Sequence, residues 1–343
     1  MKKNKTSDVM DKTLEKIKDE KVYKINKKDI FKKNSCPICK KKKSKKISQV
    51  EVYDLILNQT VICLYCANIF RQVSPKNKWF ENCWKQIESK NPKEISIKLE
   101  KLRKKRYEFY FQNIKKIGKF NKILDIGSAF GSGIEIFRKK GYTTHCVEPE
   151  INRFKVLQKK KFYSFNSTIE NLKTRNKYDL IIMSHSLEHC EDINKAIKIV
   201  SSLLKNHNSL LYIEVPNSPK CIDFYDNFYL PHRNNFNINN LNYFLIKHGF
   251  EIIQTKNLYF SDEGHSIGLV LKKTYKKKRL KKIKFTKNHL LKIEKLYQKK
   301  IPIKIFKTPL SISIDQIKNF FYILKKDQGK FYTKSNNLYF KHI

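Results

Sequence analysis

The chain has 343 residues, of which 40% are hydrophobic and 13% aromatic, and this composition is typical of a globular protein with a sizeable core. Its formal net charge is +43, because 74 lysine and arginine residues stand against 31 aspartate and glutamate residues. No apolar run approaches the roughly 20 residues of a membrane span, and residues 1–28 lack the apolar core of a secretory signal, so we expect a cytoplasmic protein without a membrane span.

The positive charge raises the question of a nucleic-acid partner. The excess is mostly lysine, spread from end to end, and it accompanies abundant asparagine and isoleucine, whose codons are also rich in A and T. The base composition of the genome therefore explains the charge without selection for a polyanionic partner. Arginine, which forms paired hydrogen bonds with guanine and phosphate, is scarce. A nucleic-acid partner stays open as the less favoured alternative to a small molecule.

Two cysteine pairs follow a predicted charged tail over residues 1–30. They are 23 residues apart and comprise Cys36, Cys39, Cys63 and Cys66. Each Cys-x-x-Cys turn can direct two thiolates at one ion, and two turns complete the tetrahedral coordination of Zn²⁺. Because sulfur fills all four positions, such a zinc ion is structural. Ile47–Ile62 alternates as a hairpin does, so residues 31–75 are predicted to form a zinc ribbon. Four free thiols are the alternative, and a disulfide pair is less favoured without export.

Residues 76–117 carry aromatic side chains among lysines and are predicted to form a helical linker or cap that leads into the next domain. Tyr107 and Tyr110 belong to this segment. Either tyrosine could cover a bound cofactor, although packing in the core is the favoured role for both.

The most informative segment is Ile123–Gly133, where an apolar strand runs into Asp125 and then into a turn punctuated by glycine. Glycine lets a nucleotide-like ligand lie against the backbone, where a Cβ atom would collide with it. A second apolar strand, Thr143–Val147, ends on Glu148, which is placed to accept hydrogen bonds from two ribose hydroxyls. The glycines at 127, 131 and 133 do not have the G-x-G-x-x-G spacing of a dinucleotide fingerprint.

Strands and helices alternate further along the chain, in predicted segments at Lys177–His189 (a buried strand and a polar turn), Asp192–Leu204 (a helix), Leu210–Asn217 (a strand) and Phe236–Phe250 (a helix). Such alternation over residues 120–255 requires a mostly parallel sheet. Two further strands, at Phe250–Thr255 and Ser266–Leu271, are predicted to close this sheet, one of them antiparallel.

The D-x-G-x-x-x-G pattern from Asp125 to Gly131, with an acidic residue ending the next strand, resembles the class I S-adenosylmethionine-dependent methyltransferases. The Leu187-Glu188-His189 turn and the Glu214–Asn217 ending of a later strand are similar to that family as well. The resemblance implies an α/β fold over residues 118–272, with a Rossmann-like, seven-stranded, mostly parallel sheet. It also implies S-adenosylmethionine as the cofactor. This cofactor has no phosphate but carries a ribose and a cationic sulfonium, so flanking carboxylates suit it.

Ligands of open α/β sheets bind at the carboxyl ends of the strands. The resemblance implies that the cofactor lies there, with its adenine beside the residues that follow the third strand. The implied cofactor-binding residues are Asp125, Gly127, Ser128, Gly131, Glu148, Thr168, Ile169, Ser184 and His185.

The segment Phe228–Phe236 resembles the Y-x-E-H…F motif of sugar C-methyltransferases that bear a zinc ribbon, a group found beside polysaccharide and nucleotide-sugar genes. The resemblance carries over to Tyr229 and His232, which in that group serve the acceptor sugar, with the histidine as candidate catalytic base. Pro231 stands where the group has glutamate, so an acidic partner is missing here. A loop histidine that only forms hydrogen bonds is the alternative role for His232.

The predicted function is therefore methyl transfer to a small molecule or a saccharide, for example a nucleotide sugar. The alternative is RNA base methylation, because some ribosomal-RNA guanine methyltransferases also join a zinc ribbon to this fold. Ser184–Leu187 speaks against it, since amino-directed nucleic-acid enzymes usually carry two prolines and an aromatic residue at this place. A non-catalytic binding protein is the third possibility. Beyond Lys272 the resemblance ends, and residues 273–343 are predicted to be a basic C-terminal extension.

Overall fold

The computed structural model describes residues 22–25, 27–52, 55–81, 93–217, 232–254, 266–274, 329–334 and 337–342. The strands are β1 (Val22–Ile25), β2 (Ile30–Lys32), β3 (Ser44–Val52), β4 (Leu55–Cys63), β5 (Ile69–Pro75), β6 (Lys122–Ile126), β7 (Thr143–Val147), β8 (Tyr163–Phe165), β9 (Leu180–Ser184), β10 (Leu210–Pro216), β11 (Asn234–Asn235), β12 (Phe250–Gln254), β13 (Ser266–Lys273), β14 (Gly329–Lys334) and β15 (Asn337–His342). The helices that frame the site are α1 (Lys93–Ile114), α2 (Glu135–Lys139), α3 (Ile151–Lys159), α4 (Ile193–Leu203) and α5 (Ile238–Lys247). Among the described residues, no helix has both the length and the apolar character of a membrane span.

Seven strands form the central sheet, in the order β12-β13-β10-β9-β6-β7-β8. The five strands from β10 to β8 are parallel, whereas β13 runs antiparallel to both of its neighbours. The predicted α/β fold with a seven-stranded, mostly parallel sheet is confirmed, and so is the closing pair of strands. The strand order reverses at β6, which lies between β7 and β9, and ligands of open α/β sheets bind at such a switch point.

The central strands are apolar on both sides because helices cover both faces of the sheet. Every residue of β9 is buried, as are the last four residues of β6 and of β7. Side chains of α1, α2 and α3 form one hydrophobic cluster with one face. Side chains of α4 and α5 form a second cluster with the other face. The site at the strand ends is therefore supported by packed layers on both sides.

Polar caps fix where α4 and α5 begin. The Asp192 carboxylate accepts hydrogen bonds from the first turn of α4, and Asn237 forms a reciprocal capping box with Asn240 in α5. The predicted helices at Asp192–Leu204 and Phe236–Phe250 are present but shorter than predicted, because their cap residues have non-helical backbone conformations. An uncapped helix start costs about 1 kcal/mol.

The N-terminal cysteine segment forms an antiparallel sheet of its own, in the order β11-β5-β4-β3, with β2 also paired to β5. The predicted hairpin at Ile47–Ile62 lies within β3 and β4. Strand β11, which precedes α5, pairs with β5 and so ties this small sheet to the larger domain. Buried Ile38, Val61 and Phe70 belong to the same hydrophobic cluster as α4 and α5. The two parts therefore share one core.

A third sheet joins the two ends of the chain. It has three antiparallel strands in the order β1-β15-β14. The predicted tail over residues 1–30 and the predicted extension over residues 273–343 each contribute to it. The sequence contained no pattern that predicted this pairing, because it joins segments from opposite ends of the chain.

Candidate functional site

The turn that follows β6 has the left-handed backbone conformation that favours glycine. Gly127 has φ +81° and Gly131 has φ +79°, and between them Ala129 adopts φ +47°. A Cβ atom on Gly131 would lie 2.7 Å from the side chain of Leu157, and one on Gly127 would collide with the hydroxyl of Ser186. The glycines at 127 and 131 are thus required by backbone conformation and by close packing together.

Asp125 lies at the carboxyl end of β6 and is almost completely buried. Its Oδ1 accepts a hydrogen bond of 2.6 Å from the hydroxyl of Tyr107 in α1. Burial raises the pKa of Asp125 to about 6, against the lowering effects of the Tyr107 hydrogen bond and the positive charge of Arg103. This carboxylate is therefore held in place and titrates close to neutral pH.

Glu148 directly follows β7, the neighbour of β6, and is also buried. Its Oε2 accepts a hydrogen bond of 2.8 Å from the backbone N–H of Ala129, and its Oε1 accepts one of 3.0 Å from Glu150. Burial raises the pKa of Glu148, while Arg153 and these backbone groups oppose the rise. The carboxylate fixes the glycine turn and, with about four lone-pair positions, can still accept further hydrogen bonds.

Three other predicted cofactor residues lie around this pair of carboxylates. The hydroxyl of Ser128 donates to the backbone oxygen of Asp125 at 2.8 Å. Thr168 and Ile169 stand at the start of the short 3-10 turn Ile169–Asn171, after β8. The hydroxyl oxygen of Thr168 is buried and has no hydrogen-bond partner among the described residues. The amide of Asn166, just before it, donates to the backbone oxygen of Glu148.

Ser184 and His185 occupy the end of β9, on the other side of β6. The hydroxyl of Ser184 is hydrogen-bonded to that of Tyr110 in α1 at 2.7 Å. His185 has φ +51°, and its Nε2 lies 3.2 Å from Oε1 of Glu214. Burial alone would lower the pKa of His185, but the carboxylates of Glu188 and Glu214 raise it. The predicted residues of this segment thus lie at the same sheet edge as Asp125.

Sequence reasoning did not assign four side chains that the structure brings to this edge: Arg103, Arg106, Tyr110 as a partner of Ser184, and Glu214. Glu214 is fully buried at the end of β10 and accepts a hydrogen bond of 2.7 Å from Tyr212. Arg103 and Arg106 belong to α1, where Arg106 lies 3.8 Å from Glu214. Because Arg103, Arg106, Tyr107 and Tyr110 recur at helical spacing, that spacing was the available signal.

His232, the predicted acceptor residue, is half-buried beside the Leu187–His189 turn that follows β9. Its ring centroid lies 4.8 Å from that of His189. Burial lowers the pKa of His232 to about 3, and the neighbouring His189 adds to this effect. Tyr229, the other predicted acceptor residue, and Pro231 lie outside the described residues.

The four predicted metal ligands converge on one point. The Sγ atoms of Cys36 and Cys66 are 3.5 Å apart, and those of Cys39 and Cys63 are 3.4 Å apart. The two Cys-x-x-Cys turns have the same shape, because the residue after each second cysteine donates its N–H to the carbonyl of the first cysteine and has a left-handed φ. No other group of described residues brings four cysteines together.

The strand order, the antiparallel β13 and the glycine turn together define the class I methyltransferase fold. Residues 102–255 match the model of a protein family described as a methyltransferase domain. This part of the chain includes the glycine turn, Glu148 and the end of β9. The match and the fold support an S-adenosylmethionine-dependent methyltransferase.

Several solved methyltransferase structures are similar in fold. An S-adenosylmethionine-dependent methyltransferase from Clostridium acetobutylicum is 13% identical, with 58% of this chain and 98% of that chain covered and a TM-score of 0.43. The 1,6-didemethyltoxoflavin-N1-methyltransferase of Burkholderia thailandensis is 14% identical, with coverages of 62% and 98% and a TM-score of 0.44. The magnesium protoporphyrin IX methyltransferase of Synechocystis is 15% identical, with coverages of 58% and 92% and a TM-score of 0.40. No curated protein sequence matches the chain.

Proposed function

We propose that this protein transfers a methyl group from S-adenosylmethionine to a small-molecule or saccharide acceptor. The observation that carries the proposal is the pair of buried carboxylates, Asp125 and Glu148, at the ends of two adjacent parallel strands around a glycine turn. A ribose and a cationic sulfonium suit two carboxylates, whereas a phosphate would be repelled by them. When bound, the cofactor supplies an electrophilic methyl group on sulfur.

On this proposal, different residues at the sheet edge bind different parts of the cofactor. Glu148 accepts hydrogen bonds from the ribose, which its remaining lone pairs support. Thr168 and Ile169 lie beside the adenine, and the buried, unpartnered hydroxyl of Thr168 supports a polar contact there. The glycine turn from Gly127 to Gly131 lets the backbone approach the ligand. Ser184 and His185 border the methyl-transfer position, and Tyr107 holds Asp125 in its orientation.

His232 and Tyr229 serve the acceptor in this proposal, with His232 as base or as acceptor anchor. The position of His232 supports this role, because it lies beside the turn that directly follows β9 and its predicted cofactor residues. The bound geometry of the reacting atoms supplies much of the rate enhancement in a displacement of this kind. A nucleic-acid acceptor is the alternative, and the net charge of +43 and the predicted zinc ribbon are the observations that favour it.

A structural Zn²⁺ ion in the cysteine cluster belongs to the same proposal. Four thiolates bound at 2.3 Å around a tetrahedral ion lie about 3.8 Å from one another. The observed sulfur distances of 3.4 and 3.5 Å are close to this value, and four sulfur ligands leave no position for water. Zinc at this place would stabilise the small sheet that packs on α4 and α5.

Titration calorimetry with S-adenosylmethionine and S-adenosylhomocysteine tests the cofactor assignment. We expect Glu148→Gln to weaken cofactor binding about 10- to 100-fold, the usual worth of hydrogen bonds to a charged group. Glu108→Gln is the matched control, since Glu108 is an exposed glutamate of α1, and it should bind normally. Absence of cofactor binding by the parent protein would contradict the proposal.

The acceptor class is tested by methyl incorporation from labelled cofactor. The protein is incubated in parallel with nucleotide-sugar pools and with total RNA. Label in the sugar pool supports the proposed acceptor, and label in RNA alone replaces it with the nucleic-acid alternative. His232→Gln should abolish turnover while cofactor affinity stays normal, and near-normal turnover would rule out its role.

A further inference from the structure

A second group of metal-ligand side chains lies beside the sheet edge, separate from the four cysteines. It consists of Glu188, His189 and His232, and one ligand atom from each lies within 4.8 Å of the others. Two imidazole nitrogens and one carboxylate oxygen form a donor set that divalent transition metals favour. We propose that these three residues bind one divalent transition-metal ion, of the class that includes Zn²⁺, Mn²⁺, Fe²⁺ and Co²⁺.

The state of Glu188 is the strongest argument for an ion. Its side chain is only 1% exposed, and neither carboxylate oxygen receives a well-aligned hydrogen bond from the residues that the structure describes, although Oε1 lies within ion-pair distance of His185. The nearest cationic candidates are Nδ1 of His185 at 3.5 Å and Nε2 of His189 at 4.0 Å. A buried carboxylate whose partners are imidazoles only, with no well-aligned hydrogen bond, is incompletely compensated. A metal ion bound to Glu188 completes the compensation.

The other buried carboxylates of the sheet edge differ from Glu188 in this respect. Asp125 accepts a hydrogen bond from Tyr107, Glu148 accepts two from backbone N–H groups, and Glu214 accepts one from Tyr212. Protein groups therefore donate hydrogen bonds to these three carboxylates, while Glu188 lies among the imidazoles of His185, His189 and His232. The difference indicates a ligand that the protein chain itself does not supply.

The spacing of the three ligand atoms fits one ion after a small movement. Two ligands that each lie about 2.1 Å from the same ion are at most about 4.2 Å apart. The ligand atoms of the three side chains lie within 4.8 Å of one another, and Nε2 of His189 is 4.0 Å from Oε1 of Glu188, which already fits this limit. The side chain of His189 is 38% exposed, so part of its imidazole borders solvent rather than packed side chains.

The backbone around the cluster is held from two directions. The backbone N–H of Arg233 donates to the backbone carbonyl of Glu188 at 2.9 Å. The side-chain amide of Asn234 donates to the backbone carbonyl of Cys190 at 3.0 Å. From the cysteine sheet, the buried guanidinium of Arg71 donates to the carbonyl of His232 at 3.1 Å. Ligands fixed in this way bind a metal more tightly than mobile ones do. The small cysteine sheet thus positions one ligand of the second metal site.

Three protein ligands leave coordination positions open, as in catalytic metal sites. The role of these positions rests on the proposed function: they would bind an oxygen atom of the acceptor next to the methyl-transfer position. The acceptor class is then narrowed to molecules with a hydroxyl or another oxygen donor, which sugars provide. His232 serves the acceptor through the ion in this arrangement.

Cobalt binding to the full chain tests the site. The cysteine cluster is first loaded with Zn²⁺, and the protein is then titrated with Co²⁺ while calorimetry and metal analysis give the stoichiometry. Absence of thiolate-to-cobalt absorption shows that Co²⁺ has not entered the cysteine cluster. We expect one equivalent of Co²⁺ in the parent protein and at least a tenfold weaker affinity in Glu188→Gln, His189→Ala and His232→Ala. His207→Ala, in an exposed turn, is the matched control and should bind as the parent does.

Two results would overturn the site: no stoichiometric Co²⁺ binding by the parent protein, or unchanged binding by His189→Ala. If His232→Ala fails to fold, His189→Ala still tests the site, because the partly exposed His189 can be replaced with little structural cost. Binding of S-adenosylhomocysteine is measured in the same samples. If the parent protein binds S-adenosylhomocysteine but no Co²⁺, the metal site is contradicted. If it binds Co²⁺ but no S-adenosylhomocysteine, the proposed function is contradicted.

Discussion

The two sides of the sheet edge are built differently, although both carry buried carboxylates. At Asp125 and Glu148, tyrosine and backbone donors of the protein satisfy the carboxylates, so that side is organised before any ligand binds. At Glu188, burial is as complete but no described donor forms a hydrogen bond. The first side therefore needs its ligand for function only, whereas on our proposal a metal ion completes the second side. Four predictions follow from this difference, and each affects one side more than the other.

Loss of the proposed zinc site should have the largest effect. Binding of structural zinc is worth on the order of 10 kcal/mol in isolated zinc modules. Cys66→Ser should therefore abolish zinc binding and lower the unfolding temperature markedly, because the cluster shares a core with α4 and α5. Cobalt binding at Glu188 should weaken at least tenfold as well, since Arg71 no longer holds His232, while affinity for S-adenosylhomocysteine should fall less.

Metal analysis, thermal unfolding and calorimetry measure these three properties. Cys146→Ala is the control, because Cys146 lies in the core of β7 and should change stability without changing the zinc content. Unchanged cobalt binding in Cys66→Ser would separate the two metal sites and contradict the coupling.

Gly131→Ala should disturb the cofactor side selectively. The new Cβ atom must adopt φ +79° and also lies 2.7 Å from Leu157, so backbone strain and overpacking add to about 2–5 kcal/mol. Gly141→Ala has a similar φ of +86° but meets no atom within 4 Å, so it should cost only the strain, about 1–2 kcal/mol. Chemical denaturation gives both free energies of unfolding, and equal values would show that packing around the turn does not matter.

Arg71→Lys should loosen the acceptor side only. Lysine keeps the charge but loses the guanidinium geometry that reaches the carbonyl of His232, together with its contact to Thr60. We expect about tenfold weaker cobalt binding and unchanged cofactor affinity. Arg138→Lys, on the cofactor-side helix α2, is the control and should leave cobalt binding as it is. If Arg71→Lys changed cofactor affinity but not cobalt binding, the proposed role of Arg71 in positioning His232 would be contradicted.

The smallest effect is a pH dependence of cofactor affinity. The pKa of Asp125 is raised to about 6, so its carboxyl group becomes neutral as the pH falls below that value. The cationic cofactor should then bind several-fold more weakly at pH 5 than at pH 7, while Asp125→Asn should show a flatter profile. The raised pKa also means that the neutral carboxyl group of Asp125 favours the fold at low pH, and that this contribution is lost as the pH rises from the ordinary pKa of aspartate, about 4, to about 6. Calorimetric titration with S-adenosylmethionine between pH 5 and pH 7 tests whether Asp125 lies near the positive charge of the cofactor.

Local patterns in the sequence predicted the mostly parallel sheet, and the family resemblance implied its seven strands. Apolar strands that end on Asp125 and Glu148, and their alternation with helices, depend on residues that are close together in the chain. The convergence of the four cysteines followed from their spacing in the same way. The sequence did not predict the sheet that joins β1 to β14 and β15, since strand pairing between distant segments leaves no local signal.

The parallel sheet, the glycine turn and the two acidic strand ends can be read from the sequence, because each depends on residues within a few positions of one another. The partners of Asp125 and Ser184 come from the packing of α1 against the sheet, which brings Tyr107 and Tyr110 to them. The tertiary structure also brings His232 to Glu188, because β11 pairs with β5 of the cysteine sheet and draws a distant segment to the end of β9. Contacts of this kind depend on long-range packing and pairing, which short sequence patterns do not encode.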